Sequence, residues 1–301
     1  MLSMARAKIN LFLSVGARRP DGFHDVDTIM CAVDRADILD ISLASRPRLE
    51  IQLEDLPPGQ DLGAGPDNLI WRAAEALVGP DRGWRITLYK TIPHGAGFGG
   101  GSSDAALTLT ALAALYRLDA DLPRLARDLG SDVGFFLIDG GTARCRGRGE
   151  VVTPLSALPV LHTVLAVPPD ARVATADAYR WLDESPDRPR GDVDDFLAAL
   201  ATGEPRAIAA AMWNDFDPVV TRMLPLVGTL RDRLLTRGAL GVQVCGSGAG
   251  IVAIFQTPDE ANAAAFALRG EGVWAVYAPT APRTYELGRD PMAAAEGGLI
   301  G

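Results

Sequence analysis

Apolar and polar positions alternate at the start of the chain. Ile9, Leu11, Leu13 and Val15 are interleaved with Lys8, Asn10 and Phe12, the two-residue period of a strand over Ala7–Val15. A turn-rich loop, Gly16 to Gly22, ends it. Further strands are predicted over Asp27–Val33, Asp37–Leu43, Arg48–Leu53 and Trp84–Lys90. Residues 55–66 are Pro/Gly-rich and read as a loop; Asp67–Val78 reads as a helix closed at Gly79. A long apolar helix is predicted from Ala105 to about Leu118 and a short one over Leu122–Leu129. A strand is expected within Ser131–Ile138, followed by an arginine-rich edge over Thr142–Arg148. Beyond it the pattern predicts a buried strand over Val160–Val167 and helices over Thr175–Leu182, 193–201, 205–213, 217–236 and Glu260–Leu268. Strands are expected over Gly241–Cys245, Ile251–Gln256 and Val273–Tyr277, an exposed loop over 184–192, and a tail with little to pack against over 289–301. Mixed strands and helices give way to helix-rich stretches near 150–160, which is where a domain boundary is expected.

Composition narrows the function. With 48% hydrophobic and 22% charged residues in 301, a sizeable core is expected. A net charge of −9 argues against a general nucleic-acid binder, which must neutralise phosphates. No apolar run reaches the roughly 18 residues of a membrane span, and Arg6, Lys8 and Asn10 interrupt any signal-peptide core. Cys31, Cys145 and Cys245 lie far apart, as do His24, His94 and His162, so neither a disulfide framework nor a zinc site is expected. The expectation is a cytoplasmic protein without nucleic-acid or membrane partners. Lysine is scarce: Lys8 and Lys90 stand against 27 arginines. Where arginine is the default cation, a lysine marks a place for a compact ammonium or is an accident of composition.

The segment Pro93-His-Gly-Ala-Gly-Phe-Gly-Gly-Gly-Ser-Ser-Asp104 lies between a predicted strand and a predicted helix. Glycines let backbone approach a ligand. A helix N-terminus offers free N–H groups and partial positive charge, which together make an anion site. Gly95, Gly97 and Gly100 match a dinucleotide fingerprint in spacing only, because the expected acidic position, Asp119 to Asp121, follows a helix rather than a strand. No Lys-Ser or Lys-Thr follows the glycines, so a P-loop is excluded as well. Lys8 and Asn10 share one face of the first strand, whether towards solvent or towards a site. Asp132, after Leu-Gly-Ser, reads equally as a helix cap. Arg144, Arg146 and Arg148 read as a solvated face.

Five segments occur in order: Ala7-Lys-Ile-Asn-Leu-Phe-Leu13, Arg19-Pro-Asp-Gly-Phe-His24, the 93–104 loop continuing into Ala105-Ala106, Leu129-Gly-Ser-Asp-Val133, and Gly246-Ser-Gly-Ala-Gly250. Together they resemble the motif regions of the GHMP kinases. The resemblance covers nearly the whole chain. It is most specific to the branch that phosphorylates the 2-hydroxyl of 4-diphosphocytidyl-2-C-methyl-D-erythritol with ATP in non-mevalonate isoprenoid biosynthesis.

That resemblance implies an α/β (α+β) two-domain fold. Residues 1–155 would form a ribosomal-protein-S5-like domain and 156–301 a ferredoxin-like one, with the active site between them. It implies Lys8 and Asp132 as catalytic pair, Asp132 taking the hydroxyl proton while Lys8 keeps it ionised. ATP would be bound by Pro93, Gly95, Ala96, Gly97, Phe98, Gly99, Gly100, Gly101, Ser102, Ser103 and Asp104, with Asn68 and Lys90 near adenosine. The acceptor would be bound by Asn10, Phe23, His24, Thr175 and Tyr179, with Phe23 and Tyr179 sandwiching cytosine and His24 reading its edge. Mg²⁺ is expected to arrive with ATP, with no protein ligand named, and the chain to be a monomer or homodimer. Departures from the family pattern fall at Arg6, Phe23, Ser131, Gly134 and Gly246, none of them at the catalytic pair. A GHMP kinase for another acceptor, or a silent nucleotide-binding module, is the alternative.

Overall fold

The computed structural model describes residues 1–185 and 190–288; the tail expected over 289–301 and part of the loop expected over 184–192 lie outside them. Two strands dominate the first sheet: β1 (Leu2–Arg18) and β2 (His24–Leu43), antiparallel along almost their whole length. The sequence predicts two strands where β2 is one. Asp34 and Arg35 form a register shift against Arg6/Ala7 rather than a turn, so pairing continues through them. The far half of β2 pairs with β4 (Trp84–Lys90), which carries β3 (Arg48–Leu53) in parallel. Its near half pairs with β5 (Thr142–Gly147) and, beyond that, β6 (Val151–Pro154).

Helices α1 (Leu69–Val78), α2 (Gly100–Tyr116) and α3 (Leu122–Leu129) accompany this sheet, and their apolar residues join two of its clusters. Helix α2 begins at Gly100, five residues before its predicted start, so the end of the glycine segment is its first turn. The strand expected within Ser131–Ile138 is instead a turn and a 3₁₀ turn, Gly134–Leu137. There Phe135 and Phe136 are both buried and meet edge to face at 5.0 Å. A short apolar run cannot by itself distinguish the two conformations.

The second sheet, of β7 (His162–Val167), β9 (Gly241–Val244), β10 (Ile251–Phe255) and β11 (Trp274–Tyr277), is antiparallel in the order β11-β7-β10-β9. Helices α4 (Thr175–Asp183), α5 (Val193–Ala201), α6 (Pro205–Ala211), α7 (Asp217–Met223) and α8 (Pro225–Thr236) lie between β7 and β9, and α9 (Pro258–Gly270) precedes β11. This is the split βαβ arrangement of a ferredoxin-like unit, with extra helices in its first crossover. The single helix predicted over 217–236 is broken because Leu224, preceding Pro225, is extended (φ −124°, ψ 87°). One face of this sheet packs on α4, α7, α8 and α9. The other, with Leu165, Val252 and Ile254, packs on Ile9, Leu11, Phe12 and Phe98 of the first unit. Two short strands return to the first sheet: β8 (Trp213–Asn214), parallel to β1, and β12 (Tyr285–Glu286), antiparallel to it. Covered on both sides, β1 buries even its polar positions, and the register shift between Asn10 and Phe12 lies in its middle.

Candidate active site

A cleft of about 930 Å³ runs between the two units, lined from both. Lys8 and Asn10 lie at its centre, each 2% exposed, not on a solvent face. Lys8 Nζ donates to Asn10 Oδ1 at 2.7 Å and stands 3.6 Å from Asp132 Oδ2. Asn10 Nδ2 donates to Thr28 Oγ1 at 2.8 Å, and that hydroxyl donates to the Phe12 carbonyl at 2.7 Å. The chain of bonds fixes Asn10 with its oxygen towards the ammonium. Asp132 sits on the turn between α3 and the 3₁₀ turn, its side chain one-third exposed into the cleft. A carboxylate next to an ammonium, open on one side, can take a proton from a hydroxyl placed before it.

The glycine segment forms the adjoining wall. Gly99, in the left-handed region (φ 71°), precedes α2, no side chain caps the helix, and Gly99 to Ser102 line the cleft. Uncapped N–H groups carrying the helix dipole are suited to phosphate oxygens. The segment is locked against the turn after β9. Gly97 (φ 86°) lies so close that a Cβ would land on the Cys245 carbonyl, and the Gly250 N–H donates to the Ala96 carbonyl at 3.1 Å. Asn214 holds that second turn, donating to the carbonyls of Val244 and Gly246 at 2.9 Å each. Pro93, Gly95 and Phe98 also border the cleft, while Ala96 and Ser103 are buried.

Lys90 does not line the cleft. It is buried beneath the start of α2, its ammonium donating to Asp104 Oδ2 at 2.8 Å and to Asp37. A Cβ on Gly100 would come within 2.7 Å of that nitrogen. Asp37 Oδ1 in turn accepts from the N–H groups of Thr91 and Ile92 at 2.6 and 2.9 Å. Burial works against the ammonium, but Asp104 and Asp37 outweigh it and hold its pKa above the ordinary range. Burial pushes Asp104 up to about 8, against the pull of Lys90. Lys90 and Asp104 thus brace the loop from behind. Asn68 caps α1, its Oδ1 accepting from the Ile70 N–H at 2.9 Å and its Nδ2 donating to the Gly63 carbonyl at 2.8 Å.

The far wall is aromatic. His24 is buried, its ring stacked on Tyr179 at 4.9 Å with 22° between planes, and Tyr179 meets Phe216 edge to face at 5.0 Å. Phe23 is exposed at the rim beneath the Arg148 guanidinium, 5.0 Å from its ring centre. One face of Tyr179 is therefore taken by His24, not left open towards Phe23. Burial, with Asp132 nearby, pushes the Tyr179 phenol to about 12, so it is neutral. Thr175, one helical turn before Tyr179, has its hydroxyl 3.3 Å from that of Ser247. Arg148 and Asp183 were not singled out from sequence as site residues. Arg148 belongs to the Arg144, Arg146, Arg148 series that reads as a solvated face, yet it lines the cleft, while Arg144 pairs with Asp27. Asp183 continues the four-residue spacing of Thr175 and Tyr179, a signal that was present in the sequence. Among the described residues no group of three or more His, Cys, Asp or Glu converges as a metal site.

An uncapped helix start, a lysine–aspartate pair and an aromatic wall line one cleft between a mixed sheet and a ferredoxin-like unit, and matches to known domains place such a chain among the GHMP kinases. The GHMP kinases N terminal domain matches residues 68–140 and the GHMP kinases C terminal domain residues 196–273. Among relatives, the 4-diphosphocytidyl-2-C-methyl-D-erythritol kinase of Pelotomaculum thermopropionicum is 40% identical over 254 residues, covering 82% of this chain and 86% of that protein. The enzyme of the same name from Thermus thermophilus is 40% identical over 284 residues, covering 91% and 95%. A crystal structure of 4-(cytidine 5'-diphospho)-2C-methyl-D-erythritol kinase superposes with a TM-score of 0.77 at 38% identity, covering 96% of this chain and all of that one. The L. major mevalonate kinase, at 16% identity and a TM-score of 0.71 over 93% and 95%, shares the fold. The chain belongs to the GHMP kinases and, within them, to the 4-diphosphocytidyl-2-C-methyl-D-erythritol kinase family.

Proposed function

We propose that the chain transfers the γ-phosphoryl group of ATP to the 2-hydroxyl of 4-diphosphocytidyl-2-C-methyl-D-erythritol, releasing ADP and the 2-phosphate, in non-mevalonate isoprenoid precursor biosynthesis. The observation that carries this reading is the position of the Lys8–Asp132 pair, in one cleft with the uncapped start of α2 and the wall of His24 and Tyr179. GHMP kinases take ATP as donor, and the first turn of α2 would hold its phosphates. Lys90 and Asp104 act on ATP through the loop they brace, and Asn68, which ties the Gly63 carbonyl to the start of α1, would lie near the adenosine end.

Asp132 would accept the hydroxyl proton as the oxygen attacks phosphorus. Lys8 would offset the charge on Asp132 and on the transferring group, while Asn10 aims the ammonium. Phosphoryl transfer passes through a loose transition state, so placement and charge contribute more than base strength. Phe23, His24, Thr175 and Tyr179 would hold the cytidyl diphosphate end. Mg²⁺ fits this site as an ion brought by ATP and held mainly by phosphate and water. Asp104, the loop's acid, is committed to Lys90. When bound, it would supply charge neutralisation to the phosphates.

No helix of the described residues is long and apolar enough to cross a membrane. Three buried free thiols, Cys31, Cys145 and Cys245, support a cytoplasmic setting, and we take the chain to act as monomer or homodimer. A domain division near residue 155 fits the two sheets, with β8 and β12 returning across it. The test is coupled ADP release with the cytidyl acceptor, mevalonate and homoserine. Turnover with the first alone is expected, and preference for either of the others would overturn the assignment.

A further inference from the structure

The carboxylate of Asp183 has no part in the reaction described above, yet it is tied to the most buried polar ring of the cleft. Helix α4 sets Thr175, Tyr179 and Asp183 four residues apart, so all three project from one face, and all three line the cleft. The His24 side chain is 6% exposed. Two contacts fix it. Stacking on Tyr179 sets the plane of the ring, and the 2.9 Å bond between Nε2 and Asp183 Oδ1 sets its rotation within that plane. Tyr179 is itself held by Phe216. Nδ1 makes no hydrogen bond to any described residue.

The consequence is chemical. A carboxylate only accepts, so the ring donates to it from Nε2, and in the tautomer with its proton there Nδ1 is left as an acceptor of fixed direction. An acceptor aimed at a pyrimidine edge pairs with the exocyclic amine of cytosine. It opposes the carbonyl that uracil presents at the same position. A site built to pair with a donor rejects the analogue lacking it, because buried polar groups then go unpaired.

We propose that Asp183 is a positioning residue for base selection: by holding His24 Nε2 it presents Nδ1 as an acceptor and favours a cytidyl over a uridyl acceptor substrate. This rests on the reading that the cleft takes a cytidyl diphosphate. Asp183 touches no reacting atom and acts through His24.

The experiment compares kcat/KM for 4-diphosphocytidyl-2-C-methyl-D-erythritol and its uridyl counterpart in the wild type, Asp183→Ala, Asp183→Glu, His24→Ala and the His24→Ala/Asp183→Ala double variant. In Asp183→Ala the cytidyl-to-uridyl ratio should fall about tenfold, the loss expected for a hydrogen bond to a charged group. The loss should appear mainly in KM for the cytidyl acceptor, with KM for ATP unchanged within about twofold. Asp183→Glu should recover part of the ratio. His24→Ala should lose the ratio, and adding Asp183→Ala should lower it no further, as expected for two residues acting as one unit. An unchanged ratio in Asp183→Ala, or further loss in the double variant, would overturn the proposal. A wild type that uses neither nucleotide acceptor would instead overturn the assigned function, so the two failures are distinct.

Discussion

Replacing Lys90 by methionine removes one buried charge at nearly constant volume and leaves two carboxyl groups without their cation. Asp37 and Asp104 have side chains 0% and 3% exposed, and the ammonium is the cation paired with both. Removing one partner of a buried ion pair costs about 3–5 kcal/mol. That is a large part of the roughly 5–15 kcal/mol that stabilises a typical domain. At about 2–4 °C per kcal/mol, the melting temperature should drop on the order of 10 °C. Asp104 bears part of the change by staying protonated, so Lys90→Met/Asp104→Asn should recover some of the loss. Because the triad lies under the first residue of α2, the loop should loosen and ATP affinity should fall with stability. Thermal melts with and without ATP, together with calorimetric titration of ATP, read both effects. A Lys90→Met protein that melts within about 1 °C of the wild type, yet binds ATP much more weakly, would refute the bracing role and return the ammonium to the nucleotide.

Three other outcomes are expected. Asp132→Asn should lower kcat by about 10²–10⁴-fold while ATP still binds, and a variant keeping more than about a tenth of wild-type kcat would contradict a general base there. Phe23→Ala removes the exposed ring under Arg148 and should cost about 5- to 150-fold in kcat/KM for the cytidyl acceptor if the ring stacks on the base. A raised KM for ATP with the acceptor spared would place that ring in the wrong nucleotide site. Asp104 is pushed from 3.8 to about 8 by burial, so the native state holds a proton that the unfolded chain gives up. Its contribution is fully present below about pH 4 and is lost as pH rises towards 8, so denaturation midpoints should fall across that window, and Asp104→Asn should flatten the slope.

Much of the site was legible because its chemistry is written in short contiguous segments. The glycine loop stands out locally, whereas Lys8, Asn10 and Asp132 were picked out by the family resemblance of the short segments that carry them, and the fold brings all of them to one cleft. The scarcity of lysine was informative: both lysines sit where a compact ammonium meets an acidic side chain, one in the cleft beside Asp132 and one beneath the loop. What escaped depends on long-range placement. Periodicity left Lys8 and Asn10 open to a solvent face because alternation does not show that the second sheet covers β1. The position of Lys90 depends on Asp37, 53 residues away on another strand, and that of His24 on Asp183, 159 residues away. The break before Pro225 was readable from proline alone, whereas the short strands at Trp213 and Tyr285 exist only through their pairing with β1.

The proposed activity delivers phosphate to one hydroxyl of a cytidyl acceptor. ³¹P nuclear magnetic resonance of the reaction with ATP and 4-diphosphocytidyl-2-C-methyl-D-erythritol tests it most directly. The expected products are ADP and one new phosphomonoester on the 2-oxygen, with the acceptor's own diphosphate intact. Phosphate on a different hydroxyl, or ADP formed with the acceptor unchanged, would contradict it.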